Sequence, residues 1–313
     1  MRGESPVSES VAFDLGELAE KITLGGWPGM IGENAADGLR FVSDYVSLIA
    51  EVEISKVSEK RRDPYKVKRL LQSLARNIST EASLAALSKD AEGGDGGLDD
   101  ETTADYLAAL KRLMAVEHLP AWNTHIRSAD MLRKSPKRHF ADPSLAVGAL
   151  GLSVDKLTED LNFFGLLFEF MVIRDLRVYA DADGSVFHCR DSRGTEVDAI
   201  VEYADGTWGA FEIKLGIGVV KEAAASLKKF ADKIDTDKVT PPAALTVITM
   251  QRLCLPQAGR RECRTDIYAD CVANIYPFDY LAFAFRNAPN WNLPNNPAAV
   301  ERLLPWNFNV PAA

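Results

Sequence analysis

Apolar residues recur at helical intervals through the first half of the chain and at alternate positions through much of the second. Residues 11–62 read as helices: Asp14 can cap a short one, and Phe41, Tyr45, Leu48 and Ile49 fall at helical spacing. The Gly25-Gly26-Trp27-Pro28-Gly29 stretch between them is a turn cluster. Three helices are expected from Pro64 to about Trp122. The first, Pro64–Asn77, carries Val67, Leu70, Leu71 and Leu74 on one face, with Asp63 as N-cap ahead of Pro64. A second opens at Thr80 and Glu81 and shows Leu84 and Leu87 as its apolar stripe. After a glycine-rich insert, Gly93–Gly97, the third is capped by Asp99 or Asp100 and carries Tyr106, Leu107, Leu110 and Leu113. An extended apolar segment, Val116 to Trp122, completes a pattern that suits a winged-helix unit. A strand ending at Phe140 follows, and Asp142-Pro143 caps a helix through Leu150.

The second half reads as one long helix, about Val154 to Arg177, then strands at Ser185–Arg190, Thr195–Tyr203 and Thr207–Leu215. A helix (Val219 to Lys233) and a strand (Ala244–Met250) come next. Helix, three strands, helix, strand makes a small sheet flanked by helices, so the fold class is α+β.

With 313 residues, 47% of them hydrophobic and 26% charged, the chain can bury a substantial core and has room for about two domains. A formal charge of −9 argues against a globally basic nucleic-acid coat. Between Lys111 and Arg138, seven Lys/Arg stand against two acidic residues. A nucleic-acid-facing patch and a solvated face beside an acidic partner both fit this excess; the lack of interleaved aromatics favours the second. The longest apolar stretch, Phe163 to Ile173, is eleven residues and contains Glu169, too short and too charged to span a bilayer. The N-terminus carries no apolar signal segment. The four cysteines form no CxxC pair, which suits reduced thiols in the cytoplasm. No GxxxxGK[ST] loop, HExxH or GxSxG is present, so ATP is not expected to bind this chain in the P-loop manner.

Two features carry candidate chemistry. Glu169 sits in a helix apolar on nearly every face, with no basic residue at i±3 or i±4, so a partner must come from another element. In the hairpin, the turn decides which faces coincide. A two-residue Asp205-Gly206 turn would set Asp198 against Ile213. A three-residue loop with a left-handed Gly206 pairs Tyr203 with Thr207 and sets Asp198 against Glu212. Only the second puts Val197, Ala199 and Val201 on the same side as Phe211, Ile213 and Leu215, so it is the expected register. Two carboxylates would then face each other with side-chain origins about 4.5–5.5 Å apart, a costly arrangement without a proton or cation between them. A divalent metal on Asp198 and Glu212, Mg²⁺ or Mn²⁺ rather than zinc, with Lys214 alongside, resolves it. Pairing of Glu196 with Lys214, leaving the other two acids solvated, stands beside that reading.

Glu169…Asp198…Glu212-x-Lys214, on helix, strand and strand, resembles the PD-(D/E)xK nuclease superfamily, or restriction-endonuclease-like fold. Four further pieces are similar to the C-terminal region of prokaryotic AAA-type ATP-binding proteins that carry a nuclease-like domain of unknown function. They are Gly25–Pro28, Ser135–Asp142, Phe187–Asp191 leading into Gly194–Asp198, and Phe211–Lys214. The resemblance implies a helical segment (1–62) left from an ATPase lid, a winged-helix-like domain (63–134), a PD-(D/E)xK-like domain (135–255) and an unassigned tail (256–313). Within the tail only Val272 to Leu281 offers a closing strand. It further implies a chain whose ATPase module is missing, truncated or held on a split-gene partner. Asp198 and Glu212 would bind Mg²⁺ or Mn²⁺, with Glu169 assisting and Lys214 activating water for phosphodiester hydrolysis. A non-catalytic module that binds nucleic acid or a protein is the alternative, and no membrane role is expected.

Overall fold

Short polar side chains set most of the helix starts. In the computed structural model, which describes residues 14–57, 60–93, 98–122, 135–180, 184–190, 195–235, 239–250 and 272–273, Asn34, Asp63, Ser83, Asp99, Asp142 and Ser153 each accept a backbone N–H two or three residues on. Each satisfies a donor that the first helical turn leaves open. Residues 94–97, 123–134 and 191–194 lie outside the described residues, as do the middle of the basic segment with Arg127, Arg133 and Lys134, Cys254, Cys263 and Cys271, and the tail apart from 272–273.

Helices α1 (Leu15–Leu24) and α2 (Ala35–Leu48) flank the glycine-rich turn, and α2 runs on through a wider turn, Ile49–Glu53, into α3 (Ile54–Lys56). The inward face of α2 is Val42, Val46 and the following Ile49, while Phe41 and Leu48 are exposed, so the buried stripe lies one residue from the expected one. Helix α4 (Pro64–Arg76) forms as expected behind Asp63 and Pro64. The next helix does not begin at Thr80: α5 spans Leu84–Asp90, because Ser83 supplies the cap and Thr80 is tied back to Asn77. Helix α6 (Asp100–Arg112) is capped by Asp99. Strands β1 (Val116–Leu119) and β2 (Lys137–Phe140) pair antiparallel, and α7 (Pro143–Leu150) follows at once.

The expected long helix is two. Helix α8 (Val154–Glu159) ends at Asp160, whose carboxylate accepts from the N–H groups of Asn162 and Phe163 and starts α9 (Leu161–Ala180). The chain then forms β3 (Gly184–Arg190), β4 (Glu196–Tyr203), β5 (Trp208–Lys214), α10 (Val220–Ala231), β6 (Ala244–Thr249) and β7 (Val272–Ala273). The sheet order is β3-β4-β5-β6-β7; the first three strands run antiparallel, and β6 and β7 run parallel to β5 and β6. The fold is α+β. Among the described residues no helix is long and apolar enough to cross a membrane.

Both faces of the sheet are buried. A large apolar cluster runs from Ile22, Leu70 and Leu110 through Phe140 and Phe170 to Ala199, Val201 and Ile213 on the α9 side. On the α10 side, Trp122, Val197, Ile200, Trp208, Leu227 and Phe230 form a second. Fully burying one such side chain is worth roughly 1.5–3 kcal/mol, so packing holds these short helices more than their propensities do.

The hairpin takes the expected register. Tyr203 N–H donates to Thr207, Gly206 has φ +82°, and Ala199 lies opposite Phe211, which carries Asp198 opposite Glu212 one step on. One detail departs from expectation. Phe187 pairs with Ile200 but Cys189 pairs with Val197, so two residues of β4, Asp198 and Ala199, face the single residue His188. This bulge reverses the alternation: Val197 joins Ile200 on the α10 side instead of Ala199 and Val201 on the other.

Candidate active site

Asp198 lies within that bulge, and Glu212 and Lys214 lie at the end of β5. One Asp198 oxygen, Oδ2, accepts from the Ile213 N–H at 2.7 Å and from Lys214 Nζ at 2.8 Å. The same ammonium is 2.6 Å from Glu212 Oε2. Asp198 and Glu212 are both buried. The cation between the facing carboxylates is thus Lys214 itself. Glu196 pairs elsewhere, which removes the alternative of a Glu196–Lys214 pair with the other acids in solvent.

Glu169 reaches the same cluster from α9. Its outside partner is Lys137 of β2: Nζ stands 2.9 Å from Glu169 Oε1 and 3.3 Å from Glu196 Oε1, and the lysine side chain is only 4% exposed. Lys137 was no sequence candidate, although it sits inside the Ser135–Asp142 piece and Glu169 plainly lacked a partner. The sequence could not connect two residues 32 positions apart.

The electrostatics follow from burial. Desolvation pushes Glu169 up to about 7; Lys137 opposes the shift and the nearby Asp198 charge adds to it. Glu212 is likewise raised to about 7, by burial first and by Asp198 second, against the pull of Lys214. Burial works against the charge on Lys137 and Lys214, but the surrounding carboxylates outweigh it and hold both ammonium groups well above the ordinary lysine value. Four carboxylates (Glu169, Glu196, Asp198, Glu212) therefore share two ammonium groups, a formal excess of two negative charges that two protons or one divalent cation would cancel.

Asp198 and Glu212 offer oxygen donors of the kind a hard divalent ion takes. Among the described residues no group of three or more His, Cys, Asp or Glu is placed to hold a metal.

A second buried charge cluster supports the first. Asp142 Oδ1 accepts from the N–H and hydroxyl of Ser144, and Oδ2 accepts from the Gly26 N–H at 2.9 Å and from Arg174 Nη1 at 2.5 Å. Trp27 Nε1 donates to Ser144 Oγ at 2.8 Å. Gly25 has φ +69°, and a Cβ there would lie 2.4 Å from Asp142 Oδ1, so the turn needs glycine for both reasons. Between the two ion pairs His139 stacks on Phe170, ring centroids 4.6 Å apart. Residues 137–142 are thereby fastened along α9 at both ends and in the middle.

Two family models match the chain. One, a domain of unknown function (DUF8612), covers residues 15–156; the other, a domain of unknown function (DUF4143), covers 164–260. No curated protein and no solved structure matches. The Lys137–Glu169 and Asp142–Arg174 pairs both cross from the first matched region to the second.

Proposed function

We propose that the sheet half of the chain is a PD-(D/E)xK-type centre that hydrolyses nucleic-acid phosphodiesters with Mg²⁺ or Mn²⁺, in a cytoplasmic protein that works beside an ATPase module. The observation that carries this reading is that Lys214 Nζ lies 2.8 Å from Asp198 and 2.6 Å from Glu212, which brings the three side chains together on two neighbouring strands. The order α9-β3-β4-β5-α10-β6 supports it, being the core order of that superfamily. Helices α4–α6 with the β1–β2 pair support a winged-helix-like unit ahead of it. The second matched family is commonly found at the C-terminus of AAA-type ATPases, which supports the ATPase partner.

Asp198 and Glu212 would hold the metal, which would polarise a phosphoryl oxygen and lower the pKa of a bound water. Lys214, released from the carboxylates it bridges, would orient the attacking water and offset the charge that develops on the phosphate. Glu169, behind Asp198, would order that water. The N–H of Ile213 keeps Asp198 aimed at the centre.

The test is cleavage of single- and double-stranded DNA and RNA by the full chain, with Mg²⁺, Mn²⁺ or EDTA. Metal-dependent cleavage lost in both Asp198→Asn and Lys214→Ala supports the reading; cleavage unchanged by both removes it. The alternative, a non-catalytic binding module, draws on one observation: each carboxylate of the cluster already has a lysine within the chain. Metal-independent binding of nucleic acid without cleavage would favour it.

A further inference from the structure

We propose that the outer ridge of α2 and of the wider turn continuing it is the interface of a two-fold homodimer, covered by the same ridge of a second copy running antiparallel. The proposal is independent of the chemistry at Asp198 and Glu212.

Helix α2 and its continuation are apolar on two faces. Val42, Val46 and Ile49 are buried in the core, yet Phe41, Leu48 and Val52 are 37%, 43% and 42% exposed. With the half-buried Tyr45 between them they follow at spacings of four, three and four residues, so they line one ridge. A second apolar face on a surface helix marks a site of association. The ridge is also held in shape. Trp27 packs edge-on against both Phe41 and Tyr45, those two rings stack with centroids 6.3 Å apart, and Trp27 Nε1 is tied to Ser144. A surface fixed in advance loses little side-chain freedom when it is covered.

The two ends of the ridge identify its occupant. Asp37 stands one turn before Phe41, and Lys56 stands one turn after Val52. The ridge is then Asp37, Phe41, Tyr45, Leu48, Val52 and Lys56, at spacings of four, four, three, four and four residues, over about 28 Å. The spacing reads the same in both directions, while the charge changes sign from one end to the other. That is the pattern a two-fold axis between Tyr45 and Leu48 requires. Antiparallel copies set Phe41 on Val52, Tyr45 on Leu48 and Asp37 on Lys56 at both ends. Parallel copies would set Asp37 on Asp37 and Lys56 on Lys56. Each end charge already holds an exposed partner three residues away, Arg40 for Asp37 and Glu53 for Lys56, so two facing ends gather two charges of each sign. Four apolar side chains from each copy make a small interface, and the association is a weak, micromolar one.

The experiment is sedimentation equilibrium of the full chain from about 1 to 200 µM, with folding checked by circular dichroism. The wild type should show a reversible monomer–dimer equilibrium. Leu48→Asp sets a carboxylate in the middle of the ridge and should weaken it by about tenfold or more; Val52→Asp serves if that variant fails to fold. Asp37→Lys and Lys56→Glu should each weaken it about five- to tenfold, since either change places like charges together at both ends. An equimolar mixture of these two variants should regain the wild-type affinity, because every end then meets its opposite charge. A chain that is monomeric throughout overturns the proposal and leaves the ridge to another protein or to a segment of this chain outside the described residues. A dimer that Leu48→Asp does not weaken places the contact elsewhere and overturns it too. A mixture no tighter than its components overturns the antiparallel pairing.

Discussion

Asp142 and Arg174 repeat, with charges exchanged, the pairing of Lys137 and Glu169 five residues earlier on each segment. The guanidinium also binds Asp175 at 2.8 Å, and burial pushes that carboxyl up to about 6 despite the arginine beside it. Arg174→Leu would leave two buried carboxylates without their cation. A loss of about 3–5 kcal/mol of stability is expected, read from urea or guanidinium unfolding. A loss below about 1 kcal/mol would mean that the cluster is far better solvated than its geometry implies.

The glycine turn offers a second test on the same cluster. Gly25→Ala places a methyl group against Asp142 in a left-handed backbone position, and should cost on the order of 1–3 kcal/mol. Trp27→Phe removes the bond to Ser144 and trims a ring that packs edge-on against Phe41 and Tyr45, and should cost about 1–2 kcal/mol. An unchanged midpoint in denaturant for either variant would contradict this account of the turn.

Glu169 should also leave a mark on the pH dependence of stability. Its carboxyl titrates near the ordinary glutamate value when unfolded and at about 7 when folded. A raised acid favours the folded state below the unfolded value, and that contribution is lost as pH rises through the folded value. In metal-free buffer the Glu169 contribution therefore falls between about pH 4.5 and 7, by on the order of 2–3 kcal/mol. His139, fully buried and held well below the ordinary histidine value, acts oppositely at the acid end, so the informative quantity is a difference. Wild type minus Glu169→Gln should show the fall across that window; a flat difference would place Glu169 in a far more polar setting.

Lys214→Met takes away the ammonium that bridges Asp198 and Glu212. In EDTA the facing carboxylates should lower the thermal midpoint, and millimolar Mn²⁺ should restore much of the loss by mass action. The wild type, already bridged, should respond less. A variant indifferent to Mn²⁺ would speak against any cation site at this pair.

Much of this arrangement was legible in the sequence because it is local. Caps such as Asp63 and Asp142, the α9-to-β6 order, and the hairpin register set by Gly206 all follow from neighbours within a few positions. What escaped was non-local or off by a single residue. Ser83 outcompetes Thr80 as a cap because Thr80 bonds backward to Asn77. Asp160 breaks a periodic run that apolar spacing alone would continue. The β4 bulge depends on β3, and no pattern within β4 announces it. In the candidate site, Glu169, Asp198, Glu212 and Lys214 do converge, but the partner of Glu169 lies across the tertiary fold.

The apolar cluster that extends unbroken from Ile22 and Leu70 to Ala199 and Ile213 has a practical consequence for anyone dividing this chain. A cut in the gap between the two matched regions would part Glu169 from Lys137 and Arg174 from Asp142, and bare the α9 side of the sheet. The two pieces are not beads on a string. They should melt in one calorimetric transition, and a recombinant piece starting near residue 160 should aggregate unless the preceding part is supplied in trans.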